Sequence, residues 1–540
     1  MIKFLSTKFT SITSAAVVIA AFGLISRLLG VVRDRILAGQ FGAGDTLDIY
    51  YAAFRIPDFI YNLVVLGTLS AGFIPVFVNL IRNEDSVAFE ENKASWGLVS
   101  NIINILALFL LAVSALLAVL SPWLVPWITP GFSGEKLHLT ITLTRIMFLS
   151  PVLLGLSGVF SGVLQAHRRF VIFSLAPIMY NAGIIFGALF LTQRFGVYGL
   201  AFGVIIGAAL HLFVQIPSVF KLGYVYRAIV DFKESNFIKI VKMTGPRILG
   251  LASAQFNLIV ITILASTLVA GSLAIFNFAN NLQSLAIGLI GVSFAVAAFP
   301  ALSKSFADNN KNDFRDTFLR TFKQIMFFVI PLSILFIILR MQIVRVVLGS
   351  GRFDWQDTIL TGNAFGVFCL SLFAQALLPL LARTFYARHN TLIPFVGAFV
   401  ALAVNAVLSW LLIARYGVVG LAWGFTISSI VNFAVLFAWL KVKVKEITHD
   451  HLVRTLAKIS FASMLMAVAA QYVKTWIGEA VDMDRFWGVC LQGAVAGVVG
   501  LVVFTLVAYL LKTEELINFM ASLKRKLFKE VRIEKEGAVE

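Results

Sequence analysis

About fourteen apolar stretches, each long enough to cross a lipid bilayer, follow one another along the 540 residues, and they limit the fold before any motif is read. They fall near residues 12–33, 46–81, 95–120, 137–166, 172–193, 198–221, 237–268, 272–303, 318–347, 358–386, 391–414, 419–441, 455–477 and 487–511. Inside lipid every backbone N–H and C=O must be bonded within the protein, so spans of this length and spacing are helices. The residues between them never exceed roughly 20, too few for a soluble domain. With 59% hydrophobic and 13% charged residues, soluble folds are excluded. The fold class is all-α, a polytopic membrane protein.

Charges inside such spans are the next constraint. Arg27 lies about 15 residues into the first apolar stretch and Arg55 about 9 residues into the second, too deep for either to reach water at a helix end. A cation there costs from about 2.5 kcal/mol upwards, so each side chain is expected to face a wet cavity or a bound anion. Asp34 follows Arg27 by seven residues on the same helix face, and Asp48 heads the next helix. An Arg–Asp pair locking two helices is the alternative. Against it, Arg27, Arg33, Arg35 and Arg55 outnumber the nearby carboxylates.

The formal net charge of +17 would suggest nucleic acid in a soluble chain, but here the charges sort by side of the membrane. With Lys3 and Lys8 placed in the cytoplasm, about 30 Lys and Arg fall on that side and about 10 on the other, while Arg27, Arg55, Arg145 and Arg247 stay within spans. Both termini are therefore expected inside. Trp123 and Trp127 in the outer SPWLVPWITPG loop suit an interfacial aromatic belt. The apolar run after Lys8 continues through Arg27 without a convincing small-residue cleavage site, and reads as an uncleaved first helix.

The chain also repeats itself. RFGVYGLAFG from Arg194 returns as RYGVVGLAWG from Arg415, and AHRRF from Ala166 as ARHNT from Ala387, both at an offset of 221. LDIYYAAFRIP from Leu47 aligns more loosely with LAIFNFANNLQ from Leu273, and FIP at Phe73 with FPA at Phe299. Six helices followed by six similar ones give two lobes, 1–221 and 222–445, with two further helices over 446–511 and a basic tail over 512–540. An even number of helices per repeat puts the pseudo-two-fold axis along the membrane normal, and a cavity between two such lobes suits a transporter working by alternating access.

SRLLGVVRD at Ser26, the GAG turn at Gly42, the stretch from Asp48 to Pro57, GPRILG at Gly245, FPALSKSF at Phe299, GRFDWQDT at Gly351 and FYARHNT at Phe385 together resemble the MurJ (MviN) family, in the family's order and over nearly the whole chain. The resemblance implies a lipid II flippase of the multidrug/oligosaccharidyl-lipid/polysaccharide exporter superfamily. Such a protein moves the undecaprenyl-pyrophosphate-linked peptidoglycan precursor outward across the inner membrane. It implies Ser26, Arg27, Arg33, Asp34, Asp48 and Arg55 as substrate-binding residues of a cationic cavity; Arg247 and Asn281, which the resemblance does not supply, are further candidate contacts. Arg suits a pyrophosphate because its planar fork binds phosphate oxygens through parallel hydrogen bonds. Membrane lipids and cell-wall synthesis proteins are the other implied partners.

The chain departs from the family at three places. Tyr61 and Asn62 stand where better-known members carry a basic pair, Leu66 replaces the acid that follows it, and Asn280 and Asn281 replace an acid–Arg pair in the eighth helix. These changes bear on the substrate rather than the fold. Other readings of function are a flippase for another lipid-linked saccharide, an exporter of small amphiphiles, and a non-transporting scaffold paralogue. An enzyme is not expected, since no loop carries a catalytic constellation.

No metal or cofactor is expected either. His449 and His451 lack a third ligand nearby, Asp482 and Asp484 read as a solvated turn, and Cys369 and Cys490 as packing. Asn181 and Asn405, within spans, suit either a coupling ion or an interhelical bond, the latter being the commoner use. The tail from Lys524 to Lys535 suits anionic lipid at the inner face.

Overall fold

The computed structural model describes residues 12–66, 72–84, 92–443 and 450–521. Helices occupy each of the apolar stretches. The first is Ile12–Phe41, the second Asp45–Ile60 with its continuation Ile74–Glu84, the third Asn92–Ile128, and the fourth Gly134–Met147 followed by Leu149–Ala166. Then come Phe170–Phe186, Tyr198–Phe213, Ser235–Ser266, Ser272–Ala286 continuing as Ser293–Ala307, and Lys311–Ile338. The tenth is bent by 49° between Trp355–Leu370 and Leu372–Ala387, and Leu392–Tyr416, Val418–Lys443, Asp450–Ala480 and Phe486–Leu510 complete the set.

Among the described residues, ten helices are long and apolar enough to span a membrane, or eleven with the bent pair. The first, second and seventh helices fall outside that set, and these are the ones that carry Arg27, Arg55 and Arg247.

The repeat seen in the sequence extends to the backbone. The second helix widens into a π turn at Tyr61–Leu66 and the eighth at Ile287–Val292, both shifted by the offset that aligns Leu47 with Leu273. Left-handed residues recur likewise, at Arg168 and His389 and at Gly196 and Gly417, each pair 221 apart. A π turn leaves one carbonyl without its usual partner. In the second helix Asn62 Nδ2 donates to Asp58 O at 2.8 Å, an oxygen that also accepts from Tyr61 N.

The chain gathers into two compact units. The first comprises the described chain up to Phe278, Val347–Asp357 and Asn405–Leu421, and so reaches past residue 221 into the second repeat. Its core holds Val65, Phe73, Phe77, Trp96, Leu110 and Val163. Within it the fifth and sixth helices meet backbone to backbone: a Cβ on Gly183 would lie 2.3 Å from Gly207 Cα, and one on Gly187 2.4 Å from Gly203 Cα. Small residues four apart on both helices permit that approach, which lipid does not drive but dispersion contacts reward. The second unit comprises Ala279–Val346, Thr358–Val404 and the described chain from Ala422 onward. Phe318, Phe322, Leu377, Leu381 and Phe385 fill one core there, and Phe327, Met466 and Phe504 pack the two last helices in another.

Candidate functional site

The first unit brings most of the expected residues together on the first and second helices. Arg33 gives Nε and Nη2 to Asp34 Oδ1 at 3.0 and 2.8 Å, and Nη1 to Asn181 Oδ1 on the fifth helix at 3.1 Å. Asp34 therefore pairs with its neighbour and not with Arg27. Arg27 and Ser26 are both half-buried, and Arg27 makes no hydrogen bond or ion pair among the described residues. The Arg–Asp pair that does form here, Arg33 with Asp34, lies within the first helix.

Arg55 is 8% exposed and its bonds go to neutral partners. Nε donates to Thr262 Oγ1 at 2.7 Å, and Nη2 to Asn277 Oδ1 at 2.9 Å, so this side chain of the first repeat is held by the seventh and eighth helices. Thr262 and Asn277 are themselves fixed, the hydroxyl donating to Leu258 O at 2.8 Å and the amide to Leu273 O at 2.6 Å. Neutral acceptors take only two of its N–H groups and cancel none of the charge themselves, and Nη1 makes no hydrogen bond to a described residue. A buried, preoriented cation of this kind can receive an anion.

Asp48 does something different from lining a cavity. At 2% exposure it accepts from Gly271 N at 2.7 Å and Ala274 N at 3.1 Å, which caps the first turn of the eighth helix. Gly271 has φ +86°, and a Cβ there would fall on Ala43 O, so only glycine permits the approach. Lys136, absent from the sequence reading, bridges Asp48 at 3.3 Å and Asp45 at 2.6 Å while its ammonium sits 4.0 Å from the Phe132 ring centre. No local pattern points to Lys136, because its partners lie some ninety residues earlier.

Asp58 was also missed. It follows Arg55 by three residues on the same helix, and its electrostatic neighbours are Arg55 and Arg33. The signal was available in FRIPDF, where an acid one turn after an intramembrane Arg stands on the same face.

The remaining candidates sit elsewhere or lie outside the description. The helix around Arg247 is described, but its side chain lies outside the described residues, as do the side chain of Leu66, His449 and His451, and the tail from Lys524. Asn281 belongs to the second unit, where its carbonyl accepts from Ser284 Oγ at 2.8 Å, while Asn280 Oδ1 accepts from Gln283 Nε2 at 3.0 Å. Asn181 and Asn405 both bond between helices, Asn405 donating to Asn257 Oδ1 at 2.6 Å. Asp482 pairs with Arg485 in its exposed turn at 3.0 Å. No group of three metal-ligating side chains occurs among the described residues.

The model of the family described as "Lipid II flippase MurJ" matches residues 37–486. A probable lipid II flippase MurJ of Buchnera aphidicola subsp. Acyrthosiphon pisum is 30% identical over 76% of this chain and 80% of its own. One of Vibrio cholerae is 26% identical over 92% and 95%. Among solved structures, a lipid II flippase MurJ in an inward closed conformation matches with a TM-score of 0.74, at 24% identity over 91% of this chain and 99% of that one. An inward-facing multidrug resistance MATE transporter of the MOP superfamily matches with a TM-score of 0.64, at 16% identity over 80% and 98%.

Proposed function

The chain belongs to the lipid II flippase MurJ family, and on that premise we propose that it exports the polyprenyl-pyrophosphate-linked peptidoglycan precursor across the inner membrane. It is a multi-pass membrane protein and a transporter rather than an enzyme. The observation that carries the reading is Arg55, a buried guanidinium held by neutral side chains, on a helix adjoining Arg27 and Arg33. Arg27, with no partner among the described residues, and Arg55, with donors to spare, bind the pyrophosphate, and Arg33 sets the field between them. Ser26 sits beside Arg27. Asp34 orients Arg33, and Asp48 serves the site by fixing the eighth helix, whose Asn277 steadies Arg55. Arg247 and Asn281 remain further contacts of the second repeat.

The transport cycle divides into lobes 1–221 and 222–445, with 446–511 appended and both termini, including the tail over 512–540, in the cytoplasm. Proteins of cell-wall synthesis are its expected partners. In cells depleted of their own flippase, expression of this chain restores the precursor's accessibility at the outer surface; failure to restore it, with the protein present in the membrane, would leave the scaffold reading standing. Cysteine labels at Trp127 and Lys443 are expected to react from opposite faces.

A further inference from the structure

Asp58 is the carboxylate of this site that the hydrogen bonding leaves aside. Arg55 turns Nε and Nη2 to Thr262 and Asn277, and Arg33 turns its N–H groups to Asp34 and Asn181. Both guanidiniums act on the Asp58 carboxyl through space, yet neither bonds to it. The other titratable groups facing it are the Tyr50 and Tyr61 phenols on its own helix and the Tyr180 phenol on the fifth, while Asp34 is held by Arg33. Asn62 donates to the main-chain oxygen of Asp58, leaving the carboxyl itself without a hydrogen-bond partner among the described residues.

Such an arrangement has a charge that can change. Arg27, Arg33 and Arg55 against Asp34 and Asp58 give a single net positive charge with Asp58 ionised, and one more with it protonated. An arriving phosphate meets two cations and also this carboxylate, whose like charge opposes it. Protonating Asp58 removes the opposition and costs no hydrogen bond. A group paired with an Arg would instead lose its partner on protonation, as Asp34 would.

We propose that Asp58 links proton binding to head-group binding, so that the site takes up a proton as it takes up the phosphate-bearing anion. The inference rests on the reading of this site as a phosphate site and adds its regulation. Linkage makes the effect reciprocal: bound phosphate raises the proton affinity of Asp58, and a protonated Asp58 raises the affinity for phosphate. Affinity is therefore highest at low pH and falls as pH rises through the titration of the carboxyl.

The test uses the full-length protein in detergent and farnesyl pyrophosphate as probe, with calorimetric titration from pH 5.5 to 8 in two buffers of different ionisation heat. The wild type is expected to take up a proton on binding and to lose roughly tenfold in affinity across that range, as for one group shifted by about a unit. Asp58→Asn is expected to match the wild type at low pH and to bind more tightly than it at high pH, keeping only the slope due to the probe's own ionisation, which is common to both proteins. Proton uptake and slope equal to wild type in Asp58→Asn would overturn the proposal, as would a monodisperse Asp58→Asn that binds more weakly at low pH. If Asp58→Asn does not fold, Asp58→Glu is expected to retain proton uptake with a displaced midpoint, and its absence there would overturn the proposal too. No binding by the wild type at any pH would strike at the phosphate site itself.

Discussion

The second and eighth helices are the same backbone carrying opposite chemistry. Both widen into a π turn at matching positions of the repeat, Tyr61–Leu66 and Ile287–Val292. The aligned segments begin Leu-Asp-Ile-Tyr-Tyr at Leu47 and Leu-Ala-Ile-Phe-Asn at Leu273, so Asp48, Tyr51 and Arg55 face Ala274, Asn277 and Asn281 in the alignment. One of these pairs touches across the repeat, Asp48 bonding to the amide of its own counterpart, Ala274, while Arg55 bonds to the side chain of Asn277, the counterpart of Tyr51. The repeat has kept its geometry while placing the charge on one copy and the acceptors for it on the other. Substrate chemistry, on this view, is concentrated in the first repeat.

The largest effect expected from that asymmetry is at Arg55. Arg55→Ala should abolish precursor export, by about a hundredfold or more if two charge-assisted bonds of about 1.5–3 kcal/mol are lost, whereas Asn281→Ala should cost about tenfold or less. Precursor accessibility at the cell surface measures both, with membrane abundance as the control. Equal losses would mean that the repeats share the head group evenly.

Next in size is a contrast within the first helix. Arg33→Ala removes the ion pair from the buried Asp34 and should lower stability by about 1–3 kcal/mol, visible as reduced abundance and melting temperature. Arg27→Ala leaves no partner behind and should keep abundance near wild type while losing export. If the two variants melted alike, Arg27 would be structural as well.

Asp48→Ala removes a helix cap and leaves Lys136 with Asp45 alone. A loss of about 1–2 kcal/mol is expected, and amide exchange at Gly271 and Ala274 should accelerate before any global unfolding. The smallest effect concerns the π turns themselves. The residue aligned with Asn62 is Gly288, which has no side chain to give a carbonyl, so the turn does not depend on the amide. Asn62→Gly should cost under about 1.5 kcal/mol and leave export intact, and a larger drop in thermal midpoint would show that the two turns are held by different means.

Much was legible in the chain because hydropathy and repetition are properties of neighbouring residues. An intramembrane Arg needs a reason wherever it sits, which is why Arg27 and Arg55 stood out, and a glycine-flanked RFGVYGLAFG announces its copy at Arg415 whatever the packing. The roles of individual carboxylates were not legible. Asp34 and Asp48 both read as cavity groups beside the Arg residues; one turned out to hold Arg33 and the other to cap a helix 223 residues away. Lys136, between two aspartates, was not legible because its importance depends on what is near it in space, whereas Asp58 stands one turn from Arg55 in the sequence itself.

The sequence by itself determined that this chain crosses a membrane as helices, that it does so in two repeats, and that it carries cations where lipid forbids them, since each follows from the cost of moving a local stretch out of water. Which acceptor each cation takes was decided only by the tertiary structure. Hydrogen-bond partners such as Arg55 and Asn277, separated by 222 positions, are chosen by which helices the fold sets side by side, and a bond of about 3 Å leaves no trace in the order of residues along a chain.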